Sequence, residues 1–149
     1  MTFALSARSI ARLDGVHPDL KRVVHRAILK SGVDFTVLEG VRTPERQRQL
    51  YAQGRTKPGP KVTWTLNSRH FINPVTGYGH AVDLCPFPID WSDTRKFDRI
   101  AEAMFSAARD LNVPLRWGAD WDRDGRPRER GESDSPHFEL AGSKADESK

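Results

Sequence analysis

Gly79-His80-Ala81-Val82-Asp83-Leu84-Cys85-Pro86-Phe87-Pro88 is the stretch on which the reading of the fold turns. Residues 80–84 read as a strand, stopped by Pro86 and Pro88, which have no N–H for a ladder. Side chains alternate along a strand, so Ala81 and Asp83 share one face and His80 and Val82 the other. Working outward, residues 34–39 alternate partially and read as a second strand, with further short strands at 62–66, 114–117 and 136–140. The helices are announced by their starts. Ser6 caps a short helix to residue 13, with Ile10 and Leu13 on its apolar side and Gly15 ending it. Pro18 opens a helix to residue 30, striped by Leu20, Val23, Val24, Ala27 and Ile28. Thr43 and Pro44 start a third helix to Gly54. Ser92-Asp93 cap the clearest one, 94–111, whose apolar face carries Phe97, Ile100, Ala101, Met104, Phe105 and Ala108. Helices first, then strands mixed with helices, predict an α+β fold: a small, mostly antiparallel sheet flanked by helices. Residues 1–140 read as one domain and 141–149 as a charged, disordered tail.

The chain has 149 residues, 37% hydrophobic and 30% charged, enough to bury a core. No apolar run reaches membrane-spanning length, and residues 1–8 lack the basic start and apolar stretch of a secretory signal. A cytoplasmic site of synthesis is therefore expected. Cys85 is the only cysteine, so no internal disulfide forms, and its apolar neighbours predict a buried small hydrophobe. The net charge of +4 is compatible with anionic partners such as a bacterial envelope, although charge alone favours a merely solvated basic surface with no specific partner. No nucleic-acid motif is present. A monomer is expected.

His70, His80, Asp83, Asp134 and His137 carry the chemistry. Two imidazoles, a carboxylate and a spare carboxylate are what a catalytic zinc site needs: three ligands, an open position for water and a base beside it. Alternation prevents His80 and Asp83 from reaching one ion from a regular strand, so His70 is the nearest partner for Asp83 and His80 reads as a surface or supporting imidazole. Asp134, three residues before His137, reads equally well as a base or as a turn residue bonding its own backbone before Ser135-Pro136. For Arg42 the residues alone favour a surface ion pair with Glu39 or Glu45.

Ser68-x-His70, Gly79-x-Ala81-x-Asp83 and Asp134-x-x-His137 together resemble the signature of the VanY-type zinc peptidases. That family comprises D-alanyl-D-alanine carboxypeptidases and the L-alanyl-D-glutamate endopeptidases of phage endolysins. Glu39-Gly40-Val41-Arg42-Thr43 with Gln47 and Leu50-Tyr51 is similar to the family's Gly-x-Arg-Ser/Thr-x-x-x-Gln segment. Trp117-Gly118-Ala119-Asp120-Trp121 resembles the endolysin members. The likeness runs over residues 38–140. It implies a Hedgehog/DD-peptidase-like fold and one catalytic zinc held by His70, Asp83 and His137. It also implies Asp134 as general base and Arg42 as the cation stabilising the oxyanion or a substrate carboxylate. The substrate implied is the peptidoglycan stem peptide, cut between L-alanine and D-glutamate, after the protein has waited in the host cytoplasm for a holin. D-alanyl-D-alanine is the alternative substrate, and a non-catalytic zinc-stabilised wall-binding module the alternative class.

The chain departs from the pattern between His70 and Gly79, nine positions apart, where Asn73-Pro74-Val75-Thr76-Gly77 reads as an inserted hairpin turn. This insertion is expected to wall the cleft, with Tyr78 or Phe71 touching substrate and His80 as the substitute for His70. Gln47 is a further candidate for substrate contact or support of the site. Asp120-x-Asp122-x-Asp124-Gly125 has the spacing of half a calcium loop and makes Ca2+ a candidate second ion, against the alternative of a salt-bridged loop.

Overall fold

The computed structural model describes residues 2–59, 69–120 and 134–141. Its elements run α1 (Ala7–Arg12), α2 (Pro18–Lys30), β1 (Phe35–Glu39), α3 (Pro44–Ala52), β2 (Ala81–Pro86), α4 (Thr94–Leu111), β3 (Leu115–Trp117) and β4 (His137–Leu140). The strands form one sheet in the order β1-β2-β4-β3, each neighbouring pair antiparallel. The α+β class is as expected. The strand expected at 62–66, Ser68, and most of the polar loop and charged tail lie outside the described residues.

One face of the sheet builds the core. Val37 pairs with Leu84, Val82 with Phe138, Phe138 with Trp117 and Leu140 with Leu115, so these side chains share a face. α4 packs on β2 and β3, and α2 packs on α4. Ile100, Met104, Leu20, Val23 and Val24 join the sheet residues in a single apolar cluster, all fully buried. Asp93 caps α4 by accepting from the Arg95 amide, and Asn112 ends it in the left-handed conformation.

The sequence expectation needs correction in three places. β2 starts at Ala81 and runs to Pro86, because β1 pairs along it as far as Phe35 opposite Pro86, and the ladder ends on the residue that has no N–H to give. α3 stops at Ala52 rather than Gly54. In α1, Ile10 is exposed, and the residue turned inward is Ser9. α1 covers the outer edge of β1, which has to have its backbone groups satisfied. The Ser9 hydroxyl accepts from the Val37 amide (2.9 Å), and Arg12 Nη1 donates to the Val37 carbonyl (2.9 Å). A hydrocarbon at position 9 could not accept from the Val37 amide.

Gly40 follows β1 at a point where an added Cβ would lie 2.0 Å from the Arg12 carbonyl. Only glycine lets the chain leave the sheet this close to the end of α1. That route brings the Gly40 carbonyl to His70 and the Arg42 side chain to Asp83.

Candidate metal centre

The second face is polar. Ala81 pairs with Glu139, Glu139 with Arg116 and Asp83 with His137, so all five side chains stand on the side away from the core. The β2–β4 pairing brings Asp83 against His137 from distant parts of the chain. A register shift between Val37 and Glu39 places two β1 residues against one of β2, so that Glu39 faces Asp83. A bulge of this kind re-aims a side chain; here it turns Glu39 out of the core pattern and onto the polar face.

His70 arrives from beside the sheet. The Arg42 amide donates to the His70 carbonyl (2.9 Å) and the His80 amide to the Arg69 carbonyl (2.9 Å). The expected hairpin turn follows. Asn73 and Tyr78 pair, Gly77 turns at positive φ, and the Asn73 side chain accepts from the Val75 amide (2.8 Å). The chain then returns to Gly79, whose amide donates to the Gly15 carbonyl and whose carbonyl accepts from the His17 amide, in the connection before α2. The extra residues leave as a closed loop and return to register before β2. They do not displace His70.

His70, Asp83 and His137 each offer one ligand atom, and these atoms lie within 4.8 Å of one another, the one such group among the described residues. The buried His70 Nδ1 lies 2.7 Å from the Gly40 carbonyl, which can only accept, so Nδ1 carries the proton and Nε2 turns its lone pair inward. That Nε2 is 3.3 Å from Asp83 Oδ1. His137 is arranged in the same way: Nε2 meets Glu139 Oε1 at 2.8 Å and Nδ1 meets Asp83 Oδ1 at 3.2 Å. A tetrahedral ion with bonds of about 2.0–2.1 Å holds its ligands about 3.3 Å apart. The two separations from Asp83 Oδ1, 3.3 and 3.2 Å, match this spacing, and the far nitrogen of each imidazole is anchored on an acceptor, as metal-bound histidines require.

The electrostatics fit a cation at this point. Burial alone would raise the Asp83 pKa, but hydrogen bonds from His137 and His70 outweigh it and hold the carboxyl well below its usual range. Burial would lower His137, yet the hydrogen bonds to Asp83 and Glu139 lift it to about 10.

Arg42 is nine-tenths buried and is not a surface residue. Its guanidinium pairs with Glu39, donates to Gln47 Oε1 (2.8 Å) and reaches Asp83 Oδ2 (3.4 Å). Asp83 therefore has one oxygen toward the histidines and the other toward Arg42. Gln47 is wholly buried in α3, an otherwise exposed helix. This corrects its reading as a substrate contact: the side chain is sealed from solvent and holds Arg42. Tyr78 stays partly exposed, edge-on to His17 with ring centroids 5.6 Å apart. His80 stands outside the ligand group, its Nε2 2.8 Å from the Thr76 hydroxyl.

Asp134 sits beside the three. The His137 amide donates to its carbonyl (3.1 Å), and the Trp117 indole donates to the Ser135 carbonyl (2.7 Å), fixing the turn. A Cβ on Gly118 would lie 2.3 Å from the Asp134 carbonyl and 3.1 Å from His137 Cβ, so this approach requires glycine. No hydrogen bond to a described residue holds the carboxylate, which does not support the turn-residue reading. Desolvation raises its pKa, the charge of His137 opposes the rise and that of Asp83 adds to it. Of the candidate calcium ligands, Asp120 is buried and bridged to Trp117, while Asp122 and Asp124 lie outside the described residues.

Glu139 is the residue that motif reading missed. Its signal was nonetheless present: on a strand, His137 and Glu139 at spacing two share a face.

The geometry agrees with what the chain resembles. It is 33% identical over 146 residues to the L-alanyl-D-glutamate peptidase of Escherichia phage T5, covering 94% of this chain and 99% of that one. It is 28% identical to the peptidoglycan L-alanyl-D-glutamate endopeptidase CwlK of Bacillus subtilis, over 84% of this chain and 73% of that one. The crystal structure of the Serratia marcescens L-Ala D-Glu endopeptidase ChiX superposes with a TM-score of 0.70 at 36% identity, covering 95% of this chain and 90% of that one. Residues 1–141 match the family described as phage L-alanyl-D-glutamate peptidase. The chain belongs to that family of peptidases.

Proposed function

We propose that this protein is a zinc-dependent endopeptidase that hydrolyses the L-alanyl-D-glutamate bond of the peptidoglycan stem peptide. The observation that carries the reading is the convergence of His70, Asp83 and His137, with His70 Nε2 and His137 Nδ1 at 3.3 and 3.2 Å from Asp83 Oδ1. The donor set of two imidazoles and one carboxylate is that of catalytic zinc, with the fourth position open. Bound there, zinc supplies a water of pKa near 7 and polarises the scissile carbonyl.

The remaining work belongs to the chain. Asp134 takes the proton of the attacking water and returns it to the leaving amine of D-glutamate. Its raised pKa suits a group that must hold a proton during the cycle. Arg42, fixed by Glu39 and Gln47, supplies a preorganised positive charge beside the reacting carbonyl, and because it is already immobile it costs no reorganisation during the reaction. Tyr78 and the 71–78 loop flank the route from His70 to β2, and in this reading they form a wall of the peptide cleft. A net charge of +4 assists approach to an anionic envelope.

The test is digestion of purified peptidoglycan with mass analysis of the products. The reading predicts fragments with new L-alanine carboxyl ends and new D-glutamate amino ends, formed with zinc and abolished by chelation. Release of free D-alanine would indicate the carboxypeptidase instead, and absence of new amino groups would leave a non-catalytic wall-binding module.

A further inference from the structure

Glu139 is almost completely buried, as few carboxylates are. Its two oxygens have separate partners. Oε1 faces His137 Nε2 at 2.8 Å; Oε2 faces Arg69 Nε at 3.2 Å and Arg116 Nη1 at 3.7 Å. Arg116 is itself buried and stands opposite Glu139 in the ladder, while Arg69 also donates to the Leu140 carbonyl (3.0 Å). On the other side Glu139 pairs with Ala81, whose short side chain leaves the room. Two guanidiniums thus supply the countercharge that burial of a carboxylate demands. One oxygen is spent on them and the other is kept for the imidazole. Apolar residues at all three positions would avoid the desolvation of three charged groups, so packing alone does not account for the arrangement.

We propose that Glu139 is a positioning residue for the metal centre. Held by Arg69 and Arg116, it fixes the proton of His137 on Nε2, so that Nδ1 is the nitrogen given to the metal, and it fixes the plane of that ring. The proposal rests on the metal-binding reading of His70, Asp83 and His137. It goes beyond that reading by assigning the ligating nitrogen and the three residues that select it. Carboxylates in this relation to a metal-bound histidine typically contribute about 10–100-fold to affinity.

The experiment is chelator-competition measurement of zinc affinity for the wild type and Glu139→Gln, with thermal melting of both proteins in the metal-free state. The result expected is a 10–100-fold weaker affinity in the variant, measured below the metal-free melting transitions of both proteins, with an altered visible spectrum of the cobalt-substituted protein. Unchanged affinity would overturn the proposal while leaving the metal site intact. A weakened variant whose cobalt spectrum matches the wild type would overturn it in favour of a structural ion cluster. Wild-type protein that takes up no zinc would remove the metal reading and this proposal together. Long-range 1H–15N spectra of wild-type zinc-loaded protein give a second check that does not depend on the variant folding. His137 protonated at Nε2 and metal-bound at Nδ1 is expected; metal at Nε2 would overturn the assignment.

Discussion

Val82, Leu84, Phe138 and Trp117 on one face of the sheet are held by the area they bury against α2 and α4, whereas Asp83, His137 and Glu139 on the other are held by charge pairing. Both sets come from the same strands, one residue out of phase. The apolar face tolerates exchange among side chains of similar volume, because burial is roughly proportional to area and has no direction. The polar face does not, because each buried charge depends on particular partners in a fixed geometry. Fold and chemistry therefore occupy alternate positions of the same segments, and substitutions at neighbouring positions should fail in different ways.

Asp83→Ala should have the largest effect. It removes the carboxylate that both imidazoles and Arg42 address, so metal uptake and hydrolysis should both be lost; metal content after dialysis against zinc checks this. Asp134→Asn should lower kcat by about 10^2–10^4-fold, the usual contribution of a positioned general base, with zinc content and melting temperature unchanged. Phe138→Ala, one residue along from His137, should do the reverse. It should cost about 3–5 kcal/mol of stability, read by denaturant unfolding, while the molecules that remain folded keep their turnover per bound metal. A Phe138 variant that folds normally but loses turnover would break the division between the faces.

A pH experiment sharpens the comparison. His137 titrates at about 10 in the metal-free protein, against an ordinary 6.5. Since the folded value is the higher one, the proton stabilises the fold fully below pH 6.5 and ever less as pH rises toward 10. The chelated protein should therefore lose melting temperature over that window, and zinc should displace about one proton per ion, with apparent affinity rising as pH rises. Titration calorimetry in buffers of different ionisation heat measures that proton. The smallest effect is expected at Ser9→Ala, which orphans the buried Val37 amide on the edge of β1 and should cost about 1–3 kcal/mol with no change in metal affinity.

The apolar face was the legible one. Periodicity and caps located α2, α4 and β2 because both report one-dimensional regularities. Alternation alone separated His80 from Asp83. The polar face was legible through motifs, and only in part. The bulge after Val37 turns Glu39 toward Asp83, and no local composition announces it. Ile10 was expected inside because its apolarity outweighed the need of an edge strand for a hydroxyl, which only the tertiary arrangement creates. Gly40 and Gly118 are explained by close approaches of distant backbone, to Arg12 and to Asp134, and such contacts leave no local trace beyond the glycine itself. Glu139 was readable in principle from its spacing to His137, but nothing short of the β3–β4 pairing and the return of Arg69 indicates that it would be buried between two arginines.

The central claim is that the polar face is a metal cradle, and anomalous scattering from crystals of the zinc-loaded protein, collected on both sides of the zinc edge, tests it most directly. The account predicts one strong peak about 2.0–2.1 Å from His70 Nε2, Asp83 Oδ1 and His137 Nδ1, with Asp134 on its open side. Zinc bound elsewhere, or no peak between these three side chains, would contradict it.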